Sequence, residues 1–340
     1  MNIREAIEKL VNRIDLSEEE TISVMNQIMT GEATPLQVAS FLTALRMKGE
    51  KVQEITGAAR VMREKVNRVR AKADLVLDIV GTGGDQKGTI NISTASAFVV
   101  AGAGITVAKH GNRSVSSKSG SADVLAALGV KIDAAKEKVE ECLEKIGIGF
   151  LFAPLLHEAM KYAVQPRREI GIRTIFNLLG PLTNPAGATH QLTGLYDGGL
   201  TELIAQVLKN LGTVRAMIVH GLEGLDEISL SGPTGVSELR NGEIRNYTLT
   251  PEEVGLKRCR LEEIQGGNPE QCADALRGVL RGENGPRRDV VLLNSGAALY
   301  VSGAAGSIAE GIRLAAESID SGKAQAKLDQ LVQMTNAAGT

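Results

Sequence analysis

Three clusters of small and polar residues follow one another between Asp78 and Asp123, and no other feature constrains the fold of this chain as strongly. They occupy positions 81–85, 89–94 and 109–121 and are rich in glycine, hydroxyl and amide groups. Glycine lets backbone N–H groups approach a ligand closely, because no side chain blocks the way. Such groups, above all at the start of a helix, bind oxygen-rich anions. The clusters therefore predict a phosphate-binding centre.

The hydrophobic pattern changes near residue 70. Before this position apolar residues recur at helical spacing, and helix starts are marked by Ser17 with Glu20 and by Thr34 with Pro35. We expect four helices there, the last covering residues 52–66. The basic residues at 60–72 are typical of a solvated helix end that complements the helix dipole.

Beyond residue 72 short apolar strands alternate with helices, which is typical of an α/β domain. Strands are expected at 75–80, 105–108, 150–153, 216–219, 227–230 and 290–293, with a helix at 121–128. Asn241 and Gly242 predict a hairpin turn between two further strands. Open α/β sheets bind ligands at the carboxyl ends of their strands, and the first cluster directly follows the strand at 75–80. The anion site is therefore expected at that edge of the sheet.

Composition argues against several classes of protein. The 340 residues carry 38 basic and 40 acidic side chains, so the net charge of -2 gives no general reason to expect binding to nucleic acid or membranes. The three cysteines, Cys142, Cys259 and Cys272, are scattered and odd in number, as in a reduced cytosolic protein. The start lacks the apolar core of a signal peptide, and no run approaches the roughly 20 apolar residues of a membrane span. We expect a soluble, cytoplasmic protein.

The glycine cluster matches neither of two common phosphate motifs. No Gly-Lys-Ser/Thr follows at the interval of a Walker A loop. Counted from Gly81, the third glycine of a dinucleotide fingerprint would be Gln86. Glycines that only make a tight turn would explain the first cluster alone. The cluster therefore identifies only a general anion site after a strand and does not specify the ligand.

Two further segments indicate the family that the chain resembles. They are RREIGIRTIFNLLGPLTNP at 167–185 and VHGLEGLDE at 219–227. Together with the three clusters they resemble the anthranilate phosphoribosyltransferases, within the nucleoside-phosphorylase-like phosphoribosyltransferase family. The match keeps the same order over nearly the whole chain, which makes it far more specific than any single loop.

The resemblance implies a small all-helical domain at 1–70, joined by a later helical segment near 165–185. It implies an α/β domain at 71–340 with a central mixed, mostly parallel sheet flanked by helices. The implied reaction transfers the phosphoribosyl group of phosphoribosyl pyrophosphate to the amine of anthranilate, giving N-(5-phosphoribosyl)anthranilate and pyrophosphate in tryptophan biosynthesis. Mg²⁺ is the implied cofactor. A homodimer is implied as well, although the amphipathic N-terminal helices could equally bury their apolar faces within one chain.

Departure of pyrophosphate from the anomeric carbon leaves positive charge on the ribose beside a polyanion. The site therefore needs hydrogen-bond donors and a metal rather than a strong base. By resemblance the clusters form two walls around phosphoribosyl pyrophosphate, and Asp85 binds either ribose hydroxyls or the metal through water. The residues implied in this binding are Gly81, Gly84, Asp85, Thr89, Asn91, Ile92, Ser93, Thr94, Lys109, His110, Gly111, Asn112, Arg113, Ser114, Val115, Ser116, Ser117 and Ser121.

Asp226 and Glu227 are the best candidates for Mg²⁺ ligands, with Ser93 as a third oxygen ligand. Adjacent side chains on a regular strand face opposite ways, so both carboxylates reach the ligand only from an irregular turn, or they serve two separate ions. Gly221 and Gly224 make such a turn plausible. Without the resemblance, a solvated acidic edge would be the preferred interpretation of this pair.

Anthranilate needs a cation for its carboxylate. By resemblance that cation is Arg167, because a planar guanidinium can bind a carboxylate with two hydrogen bonds. Arg168 and Arg173 are competitors by charge alone. The aryl amine is neutral near pH 7 and can attack before it loses its proton, so no catalytic general base is expected. The residues implied around the acceptor are Gly81, Asn112, Arg167, His110 and His157.

Two other functions stay open at this point. One is a pyrimidine nucleoside phosphorylase-like enzyme of the same fold, which uses inorganic phosphate and a nucleoside. The KHGNR segment at 109–113 and the acidic pair argue against it. The other is a catalytically silent ligand-binding protein, which the full set of phosphate, metal and acceptor groups makes the weaker hypothesis.

Overall fold

A computed structural model describes residues 1–114 and 118–337, and the seven strands found in these ranges form one sheet. The strands are β1 (Leu77–Gly81), β2 (Val107–Gly111), β3 (Ile148–Phe152), β4 (His190–Gly194), β5 (Arg215–Gly221), β6 (Thr234–Arg240) and β7 (Glu243–Leu249). Their order across the sheet is β3-β2-β1-β4-β5-β6-β7. The first five strands in this order are parallel, and β6 and β7 add antiparallel pairs. The prediction of a mixed, mostly parallel sheet is confirmed.

Helices pack on both faces of this sheet. In the described residues the α-helices are α1 (Ile3–Val11), α2 (Glu18–Met29), α3 (Pro35–Lys48), α4 (Val52–Lys65), α5 (Ile92–Gly102), α6 (Ser121–Ala127), α7 (Lys136–Ile146), α8 (Ala153–Leu156), α9 (Lys161–Ile170), α10 (Ile175–Leu182), α11 (Thr201–Asn210), α12 (Pro269–Leu280), α13 (Pro286–Ser302), α14 (Ile308–Asp320) and α15 (Lys323–Asn336). Over the same ranges, none of them combines the length and the apolar character that crossing a membrane requires.

The predicted capping signals begin α2 and α3. Ser17 Oγ accepts a hydrogen bond from the N–H of Glu20 at 3.2 Å, and the Glu20 carboxylate accepts one from the N–H of Ser17 at 3.0 Å. Thr34 and Gln37 form the same reciprocal pair at α3, where Pro35 is the first helical residue. Each pair satisfies two N–H groups that a helix or its cap otherwise leaves unpaired, which is why the sequence located these starts correctly.

Residues of the strands alternate between hydrophobic cores on the two faces of the sheet. Leu77 and Ile79 of β1 pack in the core that contains α5 and α13. Ala216 and Ile218 of β5 pack on the opposite face, in the core formed with the N-terminal helices, α10 and α11. Successive side chains of a strand point to opposite faces, so neighbouring residues face different groups of helices.

Two of the predicted strands are wrong. Residues 290–293 lie inside α13, because a short apolar run that is buried on all sides looks alike in a strand and in a buried helix. Residues 227–230, all of them described, belong to no strand and follow a tight turn at 221–225. The strand β4 was not predicted, because it mixes polar and apolar side chains that are all buried.

The basic run at the end of α4 is not simply a solvated helix end. Arg63 donates hydrogen bonds to the carbonyls of Leu182 at 2.7 Å and Leu211 at 3.2 Å, and Arg60 donates to the carbonyl of Asn210 at 3.0 Å. Burial lowers the pKa of Arg63 to about 10. These guanidinium groups satisfy carbonyls at the carboxyl ends of α10 and α11, where positive charge is favourable. They therefore tie the N-terminal helices to helices that pack on the sheet.

Candidate active site

The topology brings the first and third glycine-rich clusters to one edge of the sheet. The chain passes from β1 to β2 and β3 on one side and then returns to β4 on the other side of β1. This change of direction is the place where open α/β sheets bind ligands, beyond the carboxyl ends of the strands. Gly81 ends β1 and Gly111 ends β2, so both clusters begin at that edge.

Asp226 lies against the ends of β1 and β4. The N–H of Gly83 donates a hydrogen bond to Asp226 Oδ2 at 2.7 Å. A Cβ atom built on Gly81 would lie 2.8 Å from that oxygen, and one on Gly194 would lie 1.6 Å from the backbone oxygen of Asp226. Two strands must therefore end in glycine for Asp226 to reach the glycine loop. The first cluster and the acidic pair meet in space, although they lie far apart along the chain.

Glu227 contacts a different wall of the cleft. Its Oε1 accepts a hydrogen bond from the N–H of Ser93 at 3.1 Å, in the first turn of α5. The turn before it closes through hydrogen bonds between Gly221 and Leu225, with Gly224 at a φ of 96°. The backbone is irregular here, so both carboxylates reach the cleft, one at the glycine loop and the other at α5. The turn at 221–225 is thus the irregular element expected from the sequence, which lets the adjacent carboxylates of Asp226 and Glu227 reach the same site.

The positive charge near Asp226 and Glu227 is too small to offset their burial and mutual repulsion, so the pKa of each carboxyl group is raised. Burial raises the pKa of Asp226 to about 7, and the nearby Asp85 adds to the rise. Burial and the charge of Asp226 raise the pKa of Glu227 to about 8, against the attraction of Lys109. A divalent cation would relieve this repulsion.

The donor chemistry at Asp226 and Glu227 fits Mg²⁺, which prefers oxygen ligands and keeps several waters. Among the described residues no three acidic, histidine or cysteine side chains are placed to hold a metal by themselves. A cation here would therefore complete its shell with Ser93, water and substrate oxygens.

The start of α5 offers further polar groups to the cleft. Asn91 Oδ1 and Thr94 Oγ1 are buried and have no hydrogen-bond partner in the part of the chain that the structure describes. Buried polar atoms are normally paired, and these two lie at the N-terminus of a helix, so they are available to a ligand or ordered water there. The side chain of Ile92 is buried in the core, so only its backbone is available to a ligand. Thr89, just before, pairs with Gln265 in an isolated bridge.

Lys109 and His110 are neighbours on β2 but face opposite sides of the sheet. Lys109 is buried on the α5 side, beside Thr94, and its pKa is lowered by burial against the attraction of Asp78 and the acidic pair. His110 faces the other side, where its Nε2 lies 3.3 Å from Nε2 of His157. The strand thus separates the buried cation of Lys109 from a second side that holds two imidazoles.

Helix α10 links this histidine pair to Arg167. The guanidinium of Arg167 lies 5.0 Å from the ring centre of Phe176, in the first turn of α10. One turn later the backbone of Gly180 hydrogen-bonds with His110. Arg167 and His110 thus both contact α10, one helical turn apart. Burial lowers the pKa of both histidines, to about 3 for His110 and about 4 for His157.

The two competing arginines have other positions. Arg168 is exposed to solvent. Arg173 donates a hydrogen bond to the carbonyl of Gly84 and stacks on Tyr196, with 3.9 Å from the guanidinium carbon to the ring centre. Arg173 therefore supports the glycine loop, whereas Arg167 packs on Phe176 of the helix that contacts His110.

The third cluster folds around an aspartate that the sequence did not single out. Asp123 accepts hydrogen bonds from the N–H groups of Ser114 and Gly120, both at 3.0 Å, and pairs with Arg113 at 2.8 Å. Ser121 Oγ donates to the carbonyl of Asn112 at 3.3 Å. Val115, Ser116 and Ser117, predicted to bind phosphoribosyl pyrophosphate, lie outside the described residues.

Asp78 and Asn184 also escaped the sequence prediction. Asn184 Nδ2 donates to Asp78 Oδ2 at 2.7 Å and to the carbonyl of Ala108 at 2.9 Å, while Asp78 Oδ1 accepts from the N–H of His110 at 3.2 Å. This buried network ties the beginning of β1 to residues 108–110 of β2. The one signal in the sequence was an aspartate within an otherwise apolar strand.

Acidification is expected to destabilise the fold through the histidine pair. An unfolded histidine takes up a proton near pH 6.5, whereas burial keeps folded His157 neutral down to its pKa of about 4. Its stabilising contribution is therefore complete above pH 6.5 and is lost as the pH falls towards 4, by about 1.4 kcal/mol per pH unit. Urea unfolding at pH 7.5 and pH 5.5 measures this loss. In a His157→Asn variant the difference between the two free energies should shrink by about 1 kcal/mol, and an unchanged difference would contradict a neutral buried imidazole.

Known proteins share both the sequence and the fold of this chain. Residues 73–325 match a glycosyl transferase family, a/b domain, and residues 4–66 match the helical bundle domain of a glycosyl transferase family. The chain is 56% identical over 335 residues to an anthranilate phosphoribosyltransferase of Acetivibrio thermocellus, covering 98% of this chain and 97% of the relative. It is 57% identical over 333 residues to one of Pelotomaculum thermopropionicum, covering 98% and 96%.

Solved structures extend this similarity. Anthranilate phosphoribosyltransferase from Thermus thermophilus superimposes with a TM-score of 0.93 at 46% identity, covering 98% of this chain and 99% of the other. The enzyme from Saccharomyces cerevisiae in complex with PRPP and Mg superimposes with a TM-score of 0.89 at 29% identity, covering 99% and 98%. The same yeast enzyme has also been solved in complex with 4-fluoroanthranilate.

Proposed function

The chain belongs to the anthranilate phosphoribosyltransferases, and from this we propose which of its residues carry out the reaction. The enzyme transfers the phosphoribosyl group of phosphoribosyl pyrophosphate to the amine of anthranilate in tryptophan biosynthesis, with Mg²⁺ as cofactor. The products are N-(5-phosphoribosyl)anthranilate and pyrophosphate. The site described above then divides into a diphosphate side, a metal side and an acceptor side.

The diphosphate side is the α5 face of the cleft. The N-terminus of α5 and the ammonium group of Lys109 place positive potential where pyrophosphate charge develops as the glycosidic bond breaks. The orphaned oxygen atoms of Asn91 and Thr94 support a polar ligand at this helix start. We assign the binding of phosphoribosyl pyrophosphate to Gly81, Gly84, Asp85, Thr89, Asn91, Ile92, Ser93, Thr94, Lys109, Gly111, Asn112, Arg113, Ser114 and Ser121. His110, which faces the other side of β2, and Val115, Ser116 and Ser117 are included as predicted from sequence.

The metal side is formed by Ser93, Asp226 and Glu227. Asp226 contacts the glycine loop, Glu227 contacts the backbone of Ser93 at the start of α5, and the raised pKa values of the two carboxyl groups support a cation between them and the substrate. When bound, Mg²⁺ neutralises the charge that builds up on the leaving pyrophosphate. The protein's part is to hold the carboxylates rigidly at that position, so that little reorganisation is needed during the reaction.

The acceptor side is bordered by Arg167, His110 and His157, with Gly81 and Asn112 towards the ribose. Arg167 supplies the charge for the carboxylate of anthranilate. The two imidazoles are buried and neutral, so they add a weakly polar wall without a second charge. Neither is needed as a base, because the amine is already neutral and its proton can leave to water after attack. We therefore assign no catalytic general base.

The observation that carries this proposal is the contact of Gly83 with Asp226, which joins the phosphate loop to the acidic pair at 2.7 Å. Anthranilate is fluorescent, so the loss of its emission follows turnover directly. We expect the loss to require phosphoribosyl pyrophosphate and Mg²⁺ together. Phosphate-dependent cleavage of a pyrimidine nucleoside, with no effect on anthranilate, would instead support the phosphorylase alternative.

We also propose that the enzyme is a homodimer that pairs through its N-terminal helices. Leu36, Met47 and Val11 are 81%, 67% and 66% exposed. A groove of about 570 Å³ between α1 and α3 has a mainly apolar lining that includes Ile7, Leu10 and Met47. An exposed apolar surface of this kind is typical of a protein interface.

A charge placed on this apolar surface should separate the two subunits. In a Leu36→Glu, Met47→Glu variant we expect the molar mass from light scattering after size-exclusion chromatography to fall from that of a dimer to that of a monomer. Val214→Glu is the matched control, since Val214 is 54% exposed but lies directly before β5, outside the N-terminal helices. A dimer that survives in the double variant would place the interface elsewhere.

A cytoplasmic location completes the proposal. Cys142, Cys259 and Cys272 are all free in the fold, as expected in a reducing compartment. The net charge of -2 supports small-molecule substrates rather than nucleic acid as partners.

A further inference from the structure

The segment that carries Asp226 and Glu227 is irregular, and a side chain of α13 pairs with the backbone directly after it. In the described residues no strand pairs with Ile228, the residue after the acidic pair. Asn294 of α13 takes that role. We infer that Asn294 is a positioning residue for the carboxylates that bind Mg²⁺, an inference that rests on the metal site proposed above.

The amide of Asn294 pairs with both backbone groups of Ile228. Its Oδ1 accepts from the N–H of Ile228 at 3.0 Å, and its Nδ2 donates to the carbonyl of Ile228 at 3.0 Å. The second N–H of Nδ2 donates to the carbonyl of Val290, one helical turn back, at 2.9 Å. A side-chain amide offers two N–H donors, and both are used. Asn294 therefore imitates the double hydrogen bond of a neighbouring strand.

Burial makes this arrangement costly to lose. Asn294 is 0% exposed, and Ile228 is 1% exposed. Without the amide, the N–H and C=O of Ile228 would stay buried with no partner, at a cost that exceeds the worth of an ordinary hydrogen bond. The segment would move to recover those bonds, and its neighbours Asp226 and Glu227 would move with it.

The carboxylates have little freedom to tolerate such a shift. Asp226 reaches the glycine loop because its backbone oxygen packs directly on Gly194, and the Glu227 carboxylate accepts a hydrogen bond from the N–H of Ser93. Groups that orient metal ligands commonly change metal affinity by about 10- to 100-fold when they are replaced. Asn294 touches neither carboxylate and acts on them through Ile228.

The test measures binding rather than turnover. Calorimetric titration of phosphoribosyl pyrophosphate at a series of Mg²⁺ concentrations, without anthranilate, gives the Mg²⁺ concentration at which binding is half-enhanced. In Asn294→Leu we expect this midpoint to rise about 10-fold, with binding restored at high Mg²⁺. Ser295→Ala is the control: Ser295 is the next residue of α13, is fully buried, and its Oγ has no hydrogen-bond partner among the described residues.

Each outcome bears on one hypothesis. An unchanged midpoint in Asn294→Leu, or weak binding that high Mg²⁺ fails to restore, would overturn the positioning role. If Asn294→Leu does not fold, Asn294→Ser, whose hydroxyl replaces at most part of the amide contacts, takes its place with a smaller expected shift. An Asp226→Asn, Glu227→Gln variant is titrated in parallel. If its midpoint is also unchanged, the proposed metal ligands are wrong; if it alone shifts, only the role of Asn294 fails.

Discussion

Replacing Asp226 by asparagine and Glu227 by glutamine is expected to lower kcat by a factor of about 1,000 or more. The amides keep the size of the side chains but remove both negative charges, so the cation that neutralises the leaving pyrophosphate is held poorly. Removal of one preorganised electrostatic group commonly costs about 100- to 1,000-fold in rate, and this change removes two. Anthranilate fluorescence measured over a range of Mg²⁺ concentrations follows both activity and its metal dependence.

A second acidic pair provides the control for this prediction. Glu252 and Glu253 are also adjacent, and both are exposed. Changing them to glutamine alters the net charge by the same amount at a distant surface, so activity should stay within about 2-fold of the original, as is usual for exposed sites. Activity with an unaltered Mg²⁺ requirement in the Asp226, Glu227 variant would remove the metal from these residues.

Arg167→Ala is expected to raise the KM for anthranilate by about 100-fold while the KM for phosphoribosyl pyrophosphate changes by less than about 3-fold. A charge-assisted, two-pronged contact with a carboxylate is worth up to about 3 kcal/mol, and alanine removes all of it. Arg167 is positioned for such a contact because its guanidinium packs on the ring of Phe176, which leaves its N–H groups to a ligand. Initial rates with each substrate varied in turn separate the two KM values.

Arg168→Ala is the matched control for this experiment. Arg168 is the next residue of α9 and is exposed, so its loss should leave both KM values nearly unchanged. Arg167→Lys keeps the charge but not the planar fork, and we expect it to recover only part of the affinity. A larger effect of Arg167→Ala on phosphoribosyl pyrophosphate than on anthranilate would place this arginine on the diphosphate side.

Local signals in the sequence were reliable where one element decides its own structure. The capping boxes at Ser17 and Thr34 begin helices as predicted, since the donor and acceptor lie within three residues. The hairpin at Asn241 and Gly242 is confirmed, because these residues adopt the positive φ that the turn requires. The glycine cluster also follows directly on a strand, as predicted, and Gly83 and Gly84 have positive φ.

Signals failed where burial by distant segments decides the structure. The apolar run at 290–293 was predicted as a strand, but it is part of α13. Consecutive residues of this helix are buried because other segments pack around it. Arg63 was predicted at a solvated helix end, yet carbonyls of α10 and α11 surround its guanidinium. In both cases the neighbours come from parts of the chain that no local pattern describes.

The sequence by itself determined the two kinds of folding unit, the phosphate chemistry and, through the family resemblance, the reaction and the residues proposed for it. Only the tertiary structure decided how these residues meet: Asp226 beneath the glycine loop, Lys109 and His110 on opposite faces of β2, and Asn294 behind Ile228. The physical reason is range. Caps, turns and strand periodicity depend on neighbours along the chain. The close approach of Asp226 to Gly81 and Gly194, and the pairing of the Ile228 backbone with Asn294, depend instead on which distant segments pack together.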